Sequence, residues 1–309
     1  MEGKVLKAEH LVKRYGKKEV LHSIDVEIKP GVIYGLIGRN GAGKTTLLSI
    51  LTAQNTHEAG TVTYGGAPVW ENERALSELC FSRELSPTMM FGENTYKVKD
   101  YLKAASIYYP HWDAAYAQRL VQRFGLDPKK KIARLSKGMM SMVTIVLALA
   151  SKAPITLLDE PVAGLDVVAR EDFYKLLMEE YTETGRTFVI STHIIEEAAN
   201  VLEQVIVMDD GNILEVGETE QFVASFSFLS GRDEDVDAVA ERLGRGKVLH
   251  TEHFGRQKGA ALRVPVAQAE EAVLGAGRDV DVTPVNLQKA FVYLVGEKEG
   301  ARDAEKHAV

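Results

Sequence analysis

The segment GRNGAGKTT, residues 38–46, constrains the fold of this chain more than any other feature. It fits the pattern G-x-x-x-x-G-K-[ST], in which glycines let consecutive backbone N–H groups converge on an anion. The apolar run VIYGLI before it predicts a buried strand, and TTLLSIL after it predicts the first turns of a helix. Strand, loop and helix N-terminus together predict a phosphate-binding loop, and the alternative is an ordinary glycine-rich turn.

Each residue type in this loop has an expected role toward a nucleotide. The glycines give the backbone its bend, Lys44 would lie along the phosphates, and the Thr45 hydroxyl would ligate Mg²⁺. The predicted nucleotide contacts of the loop are Gly38, Asn40, Gly41, Gly43, Lys44, Thr45 and Thr46.

A second motif, ITLLDEP at residues 155–161, carries a buried strand to its carboxyl end, where Asp159 and Glu160 follow. Ligands of open α/β sheets bind at this edge. Asp159 would hold Mg²⁺ through its water shell, and Glu160 would polarise a water in line with the γ-phosphate. An isolated Asp-Glu pair could simply start a solvated loop. Combined with the phosphate-binding loop, the pair predicts a P-loop NTPase.

Length and composition limit the classes of protein to which the chain can belong. A chain of 309 residues can build about two domains. The net charge of -7 offers no global basic field for nucleic acid or anionic lipid, and the single cysteine, Cys80, excludes an intramolecular disulfide. No apolar stretch near the N-terminus predicts a signal peptide, and the longest apolar run, residues 142–150, is too short to cross a bilayer. We therefore expect a soluble protein whose membrane role, if any, depends on a partner.

The pattern of apolar residues predicts two domains, at residues 1–222 and 223–309. VLKAEHLVKRY and VLHSIDVEI alternate apolar and polar residues, which predicts an antiparallel N-terminal subsheet, whereas ITLLDE, RTFVIST and QVIVMDD predict buried parallel strands. A helical subdomain is expected at about 86–150. Within it, Asp113 is a predicted helix N-cap, Tyr116, Leu120 and Phe124 form a helical stripe, and Gly125 ends that helix.

The second domain mixes short strands with two short helices. KVLHT, ALRVPV and DVDVTPV are the predicted strands, and Leu287, Phe291 and Leu294 form one helical stripe. The charged tail at residues 297–309 is expected to be disordered. The role of this domain is left open between a small packing module and a regulatory or membrane-partner contact.

The motif LSKGM, residues 135–139, resembles the LSGGQ signature of the ATP-binding-cassette (ABC) family and precedes a helix, as that signature does. In the family, the signature serine and glycine bind the γ-phosphate of ATP held by an opposing subunit. The resemblance therefore assigns this role to Ser136 and Gly138. Without the resemblance, Ser136 would be read as a helix N-cap alone.

Further elements follow in the family's order. Tyr15 stands where an aromatic ring stacks on adenine, although an aromatic residue near a strand end often only packs. GLD, residues 164–166, matches the D-loop and adds Asp166 to the predicted site. His193 ends a strand where the family has a γ-phosphate-contacting histidine, and its alternative role is capping or solvation.

The chain departs from the family pattern at the glutamine position and at two positions of the signature. Glu84 stands where a Mg²⁺-contacting glutamine is usual, and its carboxylate would still reach the metal. Lys137 and Met139 replace the usual Gly and Gln of the signature, and Lys137 would face either the partner's phosphates or solvent. These substitutions, together with SREL and IYYPHWD, resemble the bacterial ABC ATPases of antibiotic, peptide or multidrug export.

The resemblance, which spans residues 1 to about 222, implies an α/β fold. Its parts are a P-loop NTPase sheet core, an N-terminal antiparallel β-subdomain and a helical subdomain, here with a small C-terminal α+β extension. It implies an ATPase using ATP and Mg²⁺, paired as a homodimer or with a related ABC ATPase, and bound to membrane-spanning permease subunits at the cytoplasmic face of the membrane. No nucleic acid partner is expected. The alternatives are an ABC ATPase acting on ribosomes or DNA, and a nucleotide-gated sensory module.

Overall fold

A computed structural model describes residues 3–85 and 96–306, with side chains to residue 296. The chain divides into two compact units, Met1–Val216 and Gly217–Val309, and each is described by itself. The strands are β1 Leu6–Tyr15, β2 Lys18–Ile28, β3 Ile33–Gly38, β4 Ala59–Tyr64, β5 Ala67–Pro68, β6 Leu79–Ser82, β7 Ile155–Asp159, β8 Thr187–Thr192, β9 Gln204–Asp209, β10 Asn212–Glu218, β11 Ser227–Gly231, β12 Val248–Phe254, β13 Gln257–Leu262 and β14 Val280–Pro284.

The α-helices of the described residues are α1 Lys44–Leu51, α2 Glu73–Leu76, α3 Val98–Tyr108, α4 Ala114–Arg123, α5 Lys137–Ala150, α6 Val167–Thr184, α7 Ile195–Ala198, α8 Thr219–Ala224, α9 Asp233–Leu243, α10 Val266–Ala276 and α11 Leu287–Lys306. Nowhere in the described part of the chain does a helix combine the length and the apolar character needed to span a bilayer.

Two sheets form the core of the N-terminal unit. The first has the order β2-β1-β4-β5, and its β1 pairs antiparallel with both β2 and β4. The alternating residues Leu6 and Ala8 are buried while their neighbours Lys7 and Glu9 are more exposed, which is why an amphipathic antiparallel sheet forms here. The predicted N-terminal antiparallel subsheet is confirmed.

The second sheet has the order β10-β9-β3-β8-β7-β6. Strands β9, β3, β8, β7 and β6 are parallel, and β3, β7 and β8 are buried along their whole length. Continuous burial explains the uninterrupted apolar runs of their sequences. The predicted parallel sheet of the α/β fold is confirmed, and the lone thiol of Cys80 lies buried in β6.

Helices α3, α4 and α5 occupy the region where a helical subdomain is predicted, although residues 86–95 of that range lie outside the described chain. Asp113 caps α4 as predicted, because its carboxylate accepts a hydrogen bond from the Tyr116 N–H at 2.8 Å. Gly125 follows α4 with a φ of 60°. The buried face of α4 is narrower than the predicted stripe: it contains Leu120 with Ala117 and Val121, while Tyr116 and Phe124 are partly exposed.

A buried arginine joins the C-terminal end of α5 to the start of β8. Arg186 is 6% exposed, and its guanidinium donates to the carbonyls of Ala148 at 3.4 Å and Leu149 at 2.9 Å. Its Nε lies 3.1 Å from the Glu180 carboxylate, which also accepts from Lys152 Nζ at 2.8 Å. Because helix ends leave carbonyls without partners, Arg186 satisfies polar groups that would otherwise be buried unpaired.

Removing this guanidinium should destabilise the N-terminal unit. Arg186→Met leaves the Glu180 carboxylate and the helix carbonyls buried with fewer partners, so we expect the free energy of unfolding to fall by about 3 kcal/mol or more. Urea unfolding followed by tryptophan fluorescence measures this unit specifically, since both tryptophans, Trp70 and Trp112, lie within it. The matched control is Lys7→Met, which removes an ion pair with half-exposed side chains and should cost less than about 1 kcal/mol. Equal losses in the two variants would contradict the role of Arg186.

The C-terminal unit contains a sheet of order β12-β13-β11-β14 in which neighbouring strands are antiparallel. The elements follow the chain as β11, α9, β12, β13, α10 and β14, which is the split βαβ arrangement of ferredoxin-like folds. Its core contains Leu229 and Leu262 from the strands together with Val236, Val239 and Ala269 from the helices.

The C-terminal helix differs from its prediction. Leu287, Phe291 and Leu294 are buried along one stripe, as expected. The tail at 297–309 was expected to be disordered, which is wrong for residues 297–306, because α11 continues to Lys306. Ala, Glu, Lys and Arg in this segment have high helix propensity and so favour continuation of the helix. Residues 307–309 lie outside the described chain.

Candidate functional site

Three adjacent strands of the parallel sheet bring the predicted catalytic loops together. Strand β8 pairs with β3 on one side, with Ile37 opposite Thr192, and with β7 on the other side, with Asp159 opposite Ser191. The segments that leave the carboxyl ends of these strands therefore lie side by side. They are the phosphate-binding loop, the segment from Glu160 and the segment from His193.

The phosphate-binding loop has the backbone that its glycines predict. Gly41 and Gly43 have φ values of 84° and 105°, in the left-handed region that other residues rarely adopt. A Cβ on Gly38 would lie 2.3 Å from the Met208 carbonyl oxygen, so this position requires glycine. Gly43 is the N-cap residue of α1. No described side chain caps this helix, so the N–H groups of its first turn are available to an anion.

A cavity of about 260 Å³ lies over this loop. Its lining is formed by Val20, Asn40, Gly41, Ala42, Gly43, Lys44, Thr45, Thr46 and Glu160. The loop and Glu160, which directly follows β7, therefore face the same space.

Lys44 is held at this cavity by backbone carbonyls. Its ammonium donates to the Gly38 oxygen at 2.7 Å and lies 3.8 Å from the Glu160 carboxylate. The side chain is only 6% exposed, and this burial lowers the pKa of Lys44, while the carboxylates of Glu160 and Asp159 act in the opposite direction. A bound phosphate would likewise favour the charged ammonium, so the site is electrostatically suited to an anion.

Asp159 is fixed by two hydroxyl groups. Its Oδ2 accepts from the Thr45 hydroxyl at 2.7 Å, and its Oδ1 accepts from the Ser191 hydroxyl. Asp159 is 7% exposed. A buried carboxylate beside a threonine hydroxyl provides the hard oxygen donors that Mg²⁺ prefers, so the residues present fit that ion.

Glu160 combines an unusual backbone with a histidine partner. Its φ is 49°, and its N–H donates to the Ser191 carbonyl at 3.1 Å. Left-handed backbone at a residue other than glycine is strained and is concentrated at functional sites. The carboxylate Oε2 lies 2.7 Å from His193 Nδ1, so His193 orients the side chain that faces the cavity.

The residues of the signature motif form a separate group within this chain. Ser136 caps α5 by accepting from the Met139 N–H at 3.2 Å, as predicted for a helix N-cap. Gly138 packs against the loop after Glu160, because a Cβ there would lie 2.6 Å from the Gly164 oxygen. Asp166 caps α6 by accepting from the Ala169 N–H at 2.9 Å.

Not every predicted site residue reaches the cavity. Among the described residues, the cavity lining does not include the predicted site residues Tyr15, Gly38, Glu84, Ser136, Gly138, Asp159, Asp166 or His193. Asp159 and His193 instead contact lining residues, Thr45 and Glu160 respectively. Tyr15 is 50% exposed at the end of β1, where its hydroxyl accepts from the Asn55 amide. Its adenine contact stays a prediction, as does metal binding by Glu84, whose carboxylate instead lies 3.1 Å from Lys137 Nζ.

Sequence reasoning missed Ser191. This residue is fully buried, and it contacts both acidic residues, through a side-chain bond to Asp159 and a backbone bond from Glu160. The signal was the polar pair Ser191-Thr192 at the end of an otherwise apolar strand. Buried polar side chains need hydrogen-bond partners, and Ser191 finds them in Asp159 at the end of β7 and in Glu160.

Comparison with known sequences agrees with this geometry. A family model described as ABC transporter matches residues 21–163. The chain is 26% identical over 301 residues to the ABC transporter ATP-binding protein YtrB of Bacillus subtilis, covering 95% of this chain and 99% of YtrB. It is 31% identical over 216 residues to the aliphatic sulfonates import ATP-binding protein SsuB of Ralstonia nicotianae, covering 68% of this chain and 72% of SsuB. It is also 30% identical over 220 residues to the linearmycin resistance ATP-binding protein LnrL of Bacillus subtilis, covering 69% of each chain.

Solved structures show the same fold. An ATP-binding subunit of an ABC transporter superposes with a TM-score of 0.62 at 24% identity, covering 71% of this chain and 91% of that one. An ATP-binding cassette in a dimeric post-hydrolysis state with ADP and Pi gives a TM-score of 0.60 at 22% identity, covering 69% of this chain and 98% of that one.

Proposed function

The chain belongs to the ABC transporter family as an ATP-hydrolysing, nucleotide-binding subunit, and we propose that it powers export through separate membrane-spanning subunits. The observation that carries the ATPase part of the proposal is that Lys44 and Glu160 line the cavity over the phosphate-binding loop and that His193 contacts Glu160. The proposed cargo is a drug, peptide or antibiotic. Its support is the resemblance of LSKGM and SREL to the resistance subgroup and the similarity to LnrL, whose name records linearmycin resistance. Because SsuB is an import protein, the cassette fold itself does not choose the direction.

The protein binds ATP, and we propose that Mg²⁺ accompanies it. Thr45 and Asp159 would hold the ion, which when bound neutralises charge on the β- and γ-phosphates. Lys44 would hold the same phosphates by charge-assisted hydrogen bonds, helped by the N-terminus of α1. Tyr15 is proposed to stack on the adenine, and Glu84 to approach the metal site once nucleotide is bound.

In the proposed hydrolysis, a water attacks the γ-phosphorus and the Glu160 carboxylate accepts its proton. The bond between the γ-phosphorus and the bridging oxygen breaks, which yields ADP and inorganic phosphate. His193, at 2.7 Å, keeps the Glu160 carboxylate oriented and would contact the γ-phosphate itself. A general base in this position contributes roughly 10²- to 10⁴-fold to the rate.

We propose further that two cassettes close over two nucleotides. Within one chain, Ser136, Gly138 and Asp166 are absent from the described lining of the nucleotide cavity, so a second cassette would supply them. The N-terminus of α5 and its capping serine offer N–H and hydroxyl donors to a terminal phosphate. The partner would be a second copy or a related ABC ATPase. ATP binding favours the closed pair, and loss of the γ-phosphate lets it reopen.

This mechanism places the chain at the cytoplasmic face of the membrane, attached to permease subunits. The helices around α3 and α4, with Glu84, are proposed to transmit closure to those subunits. The similarity to YtrB covers 95% of the chain and therefore extends into the C-terminal unit. We propose that this unit either stabilises the ATPase pair or contacts the membrane partner.

Purification of the full chain from its native cells in mild detergent tests the transporter assignment. We expect a multi-span membrane protein to co-purify and to raise the ATPase rate of the complex above that of the chain alone. Lys44→Ala is the matched control, since it should keep the membrane partner while losing ATP hydrolysis. Co-purification with ribosomes or DNA, and no membrane protein, would contradict the proposal.

A further inference from the structure

Two of the three positions that depart from the family pattern, Glu84 and Lys137, contact each other. The Lys137 ammonium lies 3.1 Å from the Glu84 carboxylate, and the two side chains are 55% and 48% exposed. They are 53 positions apart in the chain (137 minus 84), so the contact is a property of the fold. An exposed ion pair contributes little to stability, which means that it can be exchanged for another partner at low cost.

Glu84 lies next to the catalytic edge of the sheet. It follows β6 by two residues, and β6 pairs with β7 so that Ser82 is opposite Leu158. Continuing both strands by the same count puts Glu84 level with Glu160, at the edge where both segments leave the sheet. The carboxylate that pairs with Lys137 therefore follows the strand next to the one that carries Asp159.

Lys137 packs along its aliphatic stem, while among the described residues its ammonium is held only by the exposed ion pair with Glu84. A Cβ on Gly164 would lie 2.7 Å from Lys137 Cγ, so the lysine stem runs along the loop that follows Glu160. Ser141 strengthens this contact, because its hydroxyl donates to the Ala163 carbonyl at 2.6 Å. Lys137 is also the first residue of α5, immediately after its Ser136 cap. Its backbone therefore belongs to the helix N-terminus that is proposed to receive a phosphate.

We propose that Lys137 binds the terminal phosphate of the nucleotide held by a second cassette, and that Glu84 is its counter-ion until that nucleotide arrives. This inference rests on the proposed ATP-driven pairing. The ammonium exchanges one carboxylate for a phosphate that carries more charge and more acceptor oxygens. Glu84 therefore competes with ATP for Lys137 and sets how much ATP the pair needs to close.

Sedimentation velocity on the full chain tests this proposal, with Glu160→Gln as the background so that ATP persists. The measured quantity is the ATP concentration that gives half-maximal dimer. In this background, Lys137→Met should raise that concentration by about 10-fold or more, as expected for loss of a charge-assisted bond. Glu84→Gln should lower it several-fold, because the competing carboxylate is gone. Lys137→Arg keeps the charge and should resemble the background.

The double variant Lys137→Met with Glu84→Gln tests whether Glu84 acts by competing with ATP for Lys137. With Lys137→Met already present, Glu84→Gln should have no further effect on dimerisation. If Lys137→Met dimerises like the background, or if Glu84→Gln weakens dimerisation as Lys137→Met does, the proposal is overturned and the pair is structural only. Thermal unfolding midpoints check that each variant is folded. Failure of the Glu160→Gln background to dimerise with ATP would instead contradict the proposed function, and this inference with it.

Discussion

Glu160→Gln should retain ATP binding and lower the rate of ATP hydrolysis by roughly 10²- to 10⁴-fold, the usual contribution of a general base. The amide keeps the shape of the side chain at the cavity but cannot accept the proton of the attacking water. Binding should persist because the phosphates are held by the loop and Lys44, which the substitution leaves in place. Single-turnover hydrolysis, with a parallel ATP titration, measures the two quantities separately.

The matched control for this variant is Glu183→Gln, an exposed position on α6 that should hydrolyse ATP normally. His193→Ala should lie between the two, since it removes the 2.7 Å contact that orients Glu160 but leaves the carboxylate. Near-normal hydrolysis by Glu160→Gln would exclude Glu160 as the base.

Lys44→Ala should lower the affinity for ATP by about 100-fold, since hydrogen bonds to charged groups contribute about 1.5–3 kcal/mol each. The buried ammonium is held by the Gly38 carbonyl at the cavity, and no other lysine lines that cavity among the described residues. Calorimetric titration with ATP measures the loss.

The matched control for Lys44→Ala is Lys17→Ala, an exposed lysine in the turn between β1 and β2, which should bind ATP as the unmodified chain does. Thermal unfolding establishes that the Lys44 variant is folded. Tight ATP binding by folded Lys44→Ala would be incompatible with the phosphate-binding loop proposed here.

Local sequence patterns predicted that the residues at the centre of the candidate site lie at one edge of the sheet. The loop, Glu160 and His193 each follow a buried strand, Asp159 ends one, and parallel strands place such positions at one edge. The structure brings Lys44 and His193 into contact with Glu160, and Thr45 into contact with Asp159. These contacts follow from strand order, which the family resemblance supplies.

Side-chain contacts between segments far apart in the chain could not be predicted from the sequence patterns. The pairing of Glu84 with Lys137 and the capping of α5 by Arg186 depend on side chains meeting across elements, for which one sequence carries no periodic signal. The split βαβ topology of the C-terminal unit was missed for a related reason. Strand β11 has only five residues, and it pairs with β13 and β14, which lie 26 or more positions away in the chain (257 minus 231).

The central claim is that two cassettes bind ATP between the phosphate-binding loop of one and the signature helix of the other. A crystal structure of Glu160→Gln with ATP and Mg²⁺ tests it most directly. We predict that the Ser136 hydroxyl and the Gly138 N–H lie within about 3.2 Å of the terminal phosphate bound by the other chain. An ATP-bound pair in which both groups stand away from that phosphate would contradict the claim.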